Sequence, residues 1–433
     1  MNQRFTIENL GVPMVLSPIA ALDPGHFLGD SERIVMDPRA AEIDRCHKAD
    51  LILESFEVAG PRNPVFFEPS KVTAAIVTCG GLCPGLNAVI RSLVLQLNNR
   101  YGVRKILGIR YGYQGLAKPP HEAPMPLTPE IVDGIHMRGG SILGSSRGAP
   151  SPSDMLDSLV GMGADVLFVI GGDGTMRGAL AIHEEVKKRG LSIAIVGIPK
   201  TIDNDIPFVR RSFGFETAVD IACVAVHAAH TEAIGVENGI GVVKLMGRES
   251  GYIAASAALA SGQVNFCLVP EVGFTIEGQN GLFELLKARL KRKKHALIVA
   301  AEGAGQNYFT GSERPRDASG NVKLGDVGNL LKERLPAMFK KESLGVSVKY
   351  IDPSYIIRAA AANPADQVFC NRMAQYAVHA AMAGKTGLLI GYWHGRMTHV
   401  PLRALGDEKQ RINPDGELWQ NVLETTGQPI HIR

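Results

Sequence analysis

Residues 165–175 read DVLFVIGGDGT. The continuous apolar, β-branched run predicts a strand from Asp165 to Ile170 buried on both faces, closed by glycines and followed by a helix from about Met176 to Arg189. Strand, glycine turn and helix form one unit, and the unit recurs outward in both directions. Upstream, Val72–Thr78 is a short apolar strand followed by CGGLCPGLN and by a helix in which Val89, Leu93 and Leu97 return at helical spacing. Between the two lie a strand Lys105–Ile109 entering RYGYQGL, the glycine-rich stretch MRGGSILGSSRG and a helix Ser153–Met162. Downstream, the strand Ile193–Gly197 runs into IPKTIDNDI.

A second series starts near Phe213, with an alanine-rich helix (DIACVAVHAAHTEAI), a strand GIGVVKLM, a helix GYIAASAALASG, a strand NFCLVPE, a helix ending in RLKRKKH and a strand ALIVAAEGA. An αβ pair, the loop DPSYIIRAAAANPAD, a helix through Met382 and the strand GLLIGYW follow. Strands alternating with helices predict parallel sheets covered on both faces, with a site at the carboxyl ends of the strands. The fold class is therefore α/β: two similar three-layer αβα Rossmann-like lobes with an N-terminal extension. The expected division is an extension over residues 1–70 that wraps a neighbouring surface, one lobe over 71–212 plus about 357–408, and a second over 213–356 plus about 409–433.

Composition narrows the function. Among 433 residues, 46 basic against 43 acidic side chains leave no bulk polycation for nucleic acid. No apolar stretch reaches membrane-spanning length, and six scattered cysteines suit a reducing compartment, so a cytoplasmic protein without membrane partner is expected. The basic run Lys291–His295 at a helix C-terminus is explained by the helix dipole.

The loops carry the chemistry. Glycines at 171, 172 and 174 let backbone N–H groups approach a phosphate chain, with Thr175 closing the loop, and Asp173 can hold Mg²⁺. Gly80, Gly81 and Gly85 offer a second glycine turn. In PKTIDND, Asp203 and Asp205 point the same way if extended, and two carboxylates side by side lose stability unless a cation or a proton transfer uses them. One takes a proton; the other faces metal or orders the first; Lys200 supplies countercharge. Arg138, Arg147 and Arg248 stand in glycine-rich contexts suited to phosphoryl oxygens, Arg138 equally to a surface ion pair. Met246 reads as core or as ligand contact. No grouped His/Cys set supports zinc hydrolysis and no nucleophile elbow is present. The combination points to phosphoryl transfer from a polyphosphate to a hydroxyl.

In order from about Val72 to the C-terminus, TCGGLCPGLNAVIR, GSSRG, GGDGT, PKTIDNDI, LMGRESGYIA, PEVGF and YIIR resemble the 6-phosphofructokinases. GGDGT alone also occurs in NAD kinases and lipid kinases; the ordered set is specific. The resemblance implies transfer from Mg-ATP to the 1-hydroxyl of fructose 6-phosphate by a cytoplasmic homotetramer. It makes the lobe beginning at residue 71 the donor lobe and the other the sugar-phosphate lobe. It implies Asp203 as the base with Thr201 and Ile202 beside it, and Asp173 and Asp205 for Mg²⁺. Gly80, Gly81, Arg147, Gly148 and Gly172 to Thr175 would line the donor phosphates, and Arg147 and Lys200, with Arg248, would meet transition-state charge. Met246, Gly247 and Arg248, Glu271, Tyr355 and Arg358 would hold the sugar phosphate, Lys349 adding a phosphate contact.

Three features depart from the short bacterial ATP enzymes. Gly174 is the small residue of ATP users, where pyrophosphate users carry aspartate. Lys200 matches the pyrophosphate users. The stretch ENGIG at Gly239 lacks a sugar-phosphate arginine. Glycine with lysine and a long extension resembles the ATP-dependent enzymes of plants and trypanosomatids. Pyrophosphate as donor, and a nucleotide-binding regulatory protein with weak catalysis, are the alternatives.

Overall fold

A computed structural model describes residues 3–21, 27–120, 122–146, 148–309, 322–406 and 408–433. The chain divides into two compact units. The first comprises 1–201, 206–214 and 359–408; the second comprises 202–205, 215–358 and 409–433.

The first unit is built on a nine-stranded sheet. From one edge its order is Arg33–Val35, Ser55–Val58, Arg396–Pro401, Leu388–Trp393, Ala194–Pro199, Val166–Gly171, Thr73–Thr78, Lys105–Ile109 and Met125–Pro126. The five strands from Leu388–Trp393 to Lys105–Ile109 are mutually parallel, and their apolar runs are buried throughout the three central members. Both margins are antiparallel, so the expectation of a wholly parallel sheet is corrected. The cause at one margin is a two-residue turn: His394 and Gly395 both take positive φ (43° and 81°), the backbone that folds Leu388–Trp393 straight back into Arg396–Pro401. Two further boundaries differ from expectation. The helix after GGDGT runs Asp173–Lys188, because Gly172 serves as its N-cap and Asp173, Gly174 and Thr175 form its first turn. The segment expected as a loop around YIIR contains the helix Ser354–Ala359, and Pro364–Met382 follows, capped by Asn363 Oδ1 accepting from Asp366 N at 3.0 Å.

The first seventy residues supply two edge strands of this sheet, and Glu8–Asn9 pairs with Lys385–Thr386. One buried carboxylate fastens them. Glu57 accepts from Arg62 Nη2 at 3.0 Å, Lys385 Nζ at 2.8 Å and His399 Nδ1 at 2.9 Å, joining positions far apart in sequence. Asp30 meets Arg62 and Lys385 from the other side at 2.9 and 3.0 Å.

The second unit is a four-stranded, fully parallel sheet in the order Phe266–Leu268, His295–Ala301, Gly239–Leu245, Ser347–Ile351. Ile240, Val242, Ile298 and Ala300 share one face and pack with apolar residues of the helices Leu282–Lys293 and Val327–Lys341. On the opposite face the helix Phe215–Ile234 lies so close that a Cβ at Gly239 would stand 2.1 Å from the Ala233 carbonyl oxygen, and one at Gly241 2.8 Å from that of Ala229. Within ENGIG, therefore, no side chain fits at 239 without a shift of the helix. Among the described residues no helix is long and apolar enough to cross a membrane.

Burial pushes the Glu57 carboxyl up, but His399 and Lys385 outweigh it and hold the group at about 2. Its stabilising contribution is therefore present above the ordinary value of 4.5 and is lost as pH falls toward 2. Glu57→Gln leaves buried cations uncompensated; denaturant unfolding at pH 7 should show a loss on the order of 3–5 kcal/mol, shrinking on acidification below pH 4. An unchanged midpoint would remove this carboxylate from the account of the sheet's edge.

Candidate active site

Register places one group of candidate residues, in the first unit. Thr78 pairs with Ile170 and Gly171 with Pro199, so the chain leaves three adjacent strands at one level, into the turns that begin at Cys79, Gly172 and Lys200. Cys79 N donates to Ile170 O at 2.9 Å and Lys200 N to Gly171 O at 2.8 Å, extending the ladder into the turns. Gly80 then takes φ +83°, open only to glycine at low strain. The stretch Arg138–Ser146 lies over it. Thr78 Oγ1 donates to Gly144 O at 2.7 Å, Ser145 Oγ donates to Gly80 O, and Gly80 N donates to Ser146 O at 3.3 Å. Asn87, buried in the first turn of Leu86–Gln96, donates to the carbonyls of Arg138 (3.2 Å) and Gly139 (3.3 Å) and accepts from Ile142 N at 2.9 Å. These bonds frame a cavity of about 620 Å³ lined by Gly80, Gly81, Leu82, Gly139–Ser141 and Gly144–Ser146.

Lys200 is buried, with its ammonium donating to Gly81 O at 2.6 Å, so its charge lies against this lining. Asp173 stands at a helix N-terminus and accepts from Arg177 Nη1 at 2.6 Å. Thr175 is buried, and its carbonyl accepts from Tyr113 Oη at 2.7 Å. A Cβ at Gly172 would come 3.4 Å from the Lys200 carbonyl oxygen, whereas one at Gly174 would meet only the far end of Arg177 at 3.8 Å. Gly148 takes φ +81° and is exposed, as is Arg138; Arg147 lies outside the described residues.

Glycine backbone, a helix N-terminus and a buried ammonium suit a polyphosphate. For Mg²⁺ the donor chemistry also fits. Asp173 is a hard oxygen ligand, and among the described residues no group of three metal-binding side chains forms a closed cage. Mg²⁺ is characteristically held by one or two carboxylates plus phosphate oxygens and water.

A second group of candidate residues lies in the second unit, which the chain enters between Thr201 and Ile202. The loop Met246–Arg248 leaves Gly239–Leu245, and a Cβ at Gly303 would fall 1.9 Å from the Arg248 carbonyl oxygen. Glu302 N donates to Leu245 O at 2.8 Å and Gly303 N to Gly247 O at 3.0 Å, so the ends of two adjacent strands are knitted together. Met246 is buried; Arg248 Nη2 donates to Val322 O at 2.6 Å. Ser250 Oγ donates to Asp203 O at 2.9 Å. Burial, reinforced by the charges of Asp205 and Glu302, pushes the Asp203 carboxyl up to about 7, against the opposing pull of Arg358 and the Arg248 backbone N–H. Asp205 accepts from Lys409 Nζ at 3.1 Å, and Ile202 is buried beside this pair.

Asp203, Asp205, Arg248 and Arg358 are thus brought into one electrostatic group. Glu302 belongs to it and was not singled out from sequence: burial raises its carboxyl, with Arg358, Arg248 and Lys244 opposing. Its signal was available, an acidic residue directly after a buried strand and before glycine, the same placement as Asp173. Tyr355 projects from Ser354–Ala359 and is 86% exposed. The remaining two expected residues make the following contacts. Glu271 Oε1 accepts from Gly251 N and Ile412 N, both at 2.9 Å, while its Oε2 is buried without a hydrogen-bond partner among the described residues. Lys349 pairs with Gly241, four residues and so about 13 Å before the strand's end at Leu245, and its ammonium faces Glu232 at 3.9 Å.

An aspartate that keeps its proton up to about 7 when folded, against an ordinary 3.8, contributes stability that is complete below 3.8 and lost as pH rises through 7. Asp203→Asn should accordingly raise the melting temperature more at pH 8 than at pH 5. An equal shift at both would refute the raised value.

Residues 73–381 match the family described as Phosphofructokinase. Over all of this chain and 98% of the relative, the sequence is 47% identical to an ATP-dependent 6-phosphofructokinase of Borreliella burgdorferi. It is 50% identical to ATP-dependent 6-phosphofructokinase 7 of Arabidopsis thaliana, covering 86% of this chain and 77% of that one. With the ATP-dependent 6-phosphofructokinase of Trypanosoma cruzi it shares 47% over 93% and 83%. Among solved structures, a pyrophosphate-dependent phosphofructokinase from Marinobacter aquaeolei superposes with a TM-score of 0.67 at 19% identity, covering 82% of this chain and 91% of that one. At that identity the likeness speaks for the shared α/β fold alone. The family match over most of the chain and the extent of identity to its curated members agree with the motif order: the chain belongs to the phosphofructokinase family.

Proposed function

We propose that the protein transfers the terminal phosphoryl group of Mg-ATP to the 1-hydroxyl of fructose 6-phosphate, giving fructose 1,6-bisphosphate and ADP. The observation that carries this reading is Asp203, a carboxylate poised near neutrality beside Arg248 and Arg358. A general base is most effective when its affinity for the proton matches the working pH. The names of the relatives support ATP as donor.

In this reading the donor phosphates lie against Gly80, Gly81, Gly148 and the first turn Gly172–Thr175. Asp173, with Asp205 as the second carboxylate, would hold Mg²⁺, which would supply charge neutralisation at the transferring phosphate. Arg248 and Arg358 grip the sugar phosphate, with Met246, Gly247, Tyr355 and Glu302 shaping the pocket for the sugar. Asp203 accepts the proton of the 1-hydroxyl as its oxygen attacks phosphorus; the bond to the bridging oxygen of the leaving ADP breaks. Thr201 and Ile202 are the short tether from Lys200 to Asp203, three residues apart, so the donor-side cation and the base are set by one segment. Lys200 and Arg147 meet the charge on the leaving phosphates. Six free cysteines, five of them buried, support a reducing cytoplasm. Exposed Tyr355 and Ile356, at 86% and 68%, support assembly with further copies as a homotetramer.

Pyrophosphate as donor is favoured by one observation, the ammonium of Lys200 on the carbonyl of Gly81. Initial rates with ATP and with pyrophosphate, measured in parallel, separate the two; ATP should support the dominant rate. The fold leaves room for Gly174→Asp, and like-charge repulsion should cut the ATP rate at least about a hundredfold. A full ATP rate would overturn the account of donor choice.

Asp203→Asn should lower turnover by at least about a thousandfold with binding largely kept. In the wild type, kcat/KM should fall with unit slope below about pH 7, where Asp203 takes up its proton. A profile flat to pH 5.5 would assign the base elsewhere.

A further inference from the structure

The strand Gly239–Leu245 is apolar except for one cation near its carboxyl end, Lys244. Its side chain is only 13% exposed, and its ammonium lies 2.9 Å from Asp352 Oδ2 and 3.1 Å from Asp326 Oδ2. Burial pushes this ammonium's proton affinity down, and the two carboxylates with Tyr350 outweigh burial and raise it, so the charge is held permanently. Both partners stand at the entry to a helix. Asp352 Oδ1 accepts from Ser354 N at 3.0 Å, fixing the turn that leads into the six-residue helix that carries Tyr355 and Arg358. Asp326 Oδ1 accepts from Asn329 N at 3.0 Å, starting Val327–Lys341, and also from Tyr350 Oη at 3.0 Å. Lys244 is two residues from Met246 and four from Arg248, and its charge reaches Glu302.

One buried cation therefore joins the three segments from which the acceptor side is made: the loop after Leu245, the turn entering the Arg358 helix and the cap of Val327–Lys341. The helix Ser354–Ala359 is less than two turns long, too short to hold its own orientation without an anchored end. Removing the ammonium leaves two like-charged carboxylates no more than about 6 Å apart, repelling each other.

We propose that Lys244 is a positioning residue for fructose 6-phosphate recognition, setting the placement of Arg358 through Asp352 without touching substrate. This rests on the reading above, in which Arg358 grips the sugar phosphate. An asparagine side-chain oxygen can still accept from Ser354 N, so Asp352→Asn keeps that hydrogen bond and removes only the ion pair.

The test is steady-state kinetics on the full-length protein with Lys244→Met, Asp352→Asn, the double variant and Arg358→Ala. Lys244→Met and Asp352→Asn should each raise KM for fructose 6-phosphate at least about tenfold, more than either lowers kcat, with KM for ATP within about twofold. The double variant should be no worse than Lys244→Met, because both remove one interaction. If Arg358→Ala raises KM for the sugar phosphate while Asp352→Asn leaves it within about twofold, Lys244 has no positioning role and the phosphate assignment stands. An Arg358→Ala variant with unaltered KM overturns that assignment and this proposal with it. Should Lys244→Met fail to fold, Asp352→Asn carries the same decision alone.

Discussion

The parallel hydrogen-bond ladder joining Thr73–Thr78, Val166–Gly171 and Ala194–Pro199 is the constraint on which the donor side depends. Side chains on a strand alternate faces, so a slip of one residue in any of the three would turn its buried set outward. The register is therefore held by the whole apolar interior. The turns inherit that rigidity: Cys79, Gly172 and Lys200 begin where their strands end, and the two hydrogen bonds that continue the ladder leave them little freedom. Loops carry the chemistry, and the packing of the sheet aims them.

On the acceptor side the organising force is electrostatic. Burial and the charges of Asp205 and Glu302 raise the proton affinity of Asp203, burial raises that of Glu302, and Arg358 opposes both. Neither set would be tolerated alone in partly buried surroundings. The balance leaves Asp203 near neutrality, which is what proton abstraction from a sugar hydroxyl requires, and it reserves cationic capacity for a phosphate dianion.

How much of this was legible in the sequence follows from what each feature depends on. The strands around GGDGT were readable because burial on both faces enforces an unbroken apolar run, and the loop residues because glycine and aspartate at strand ends have few other uses. The antiparallel margin was not, since His394–Gly395 announces a turn only once both residues adopt positive φ. The helix Ser354–Ala359 escaped because its start depends on a side-chain hydrogen bond from Ser354 N to Asp352, itself fixed by a distant lysine. Glu302 was passed over although it follows a buried strand and precedes a glycine, whereas one oxygen of Glu271, within PEVGF, proves to be held by two backbone amides. Spacing reveals which residues can meet; it does not reveal which direction a carboxylate faces.

The Glu57 cluster has a consequence for how the chain is made. Its carboxylate and the imidazole of His399 are 342 residues apart, and Lys385 is nearly as far. At ribosomal speeds of about 5–20 residues per second, roughly 17 to 70 s separate the synthesis of the two partners. Throughout that interval the early edge strands have no companion in Arg396–Pro401, and a polar group destined for burial stays in water. Strands made early are thus among the last to be locked into place, and the nascent chain must keep an open sheet edge from pairing with its neighbours on the same message.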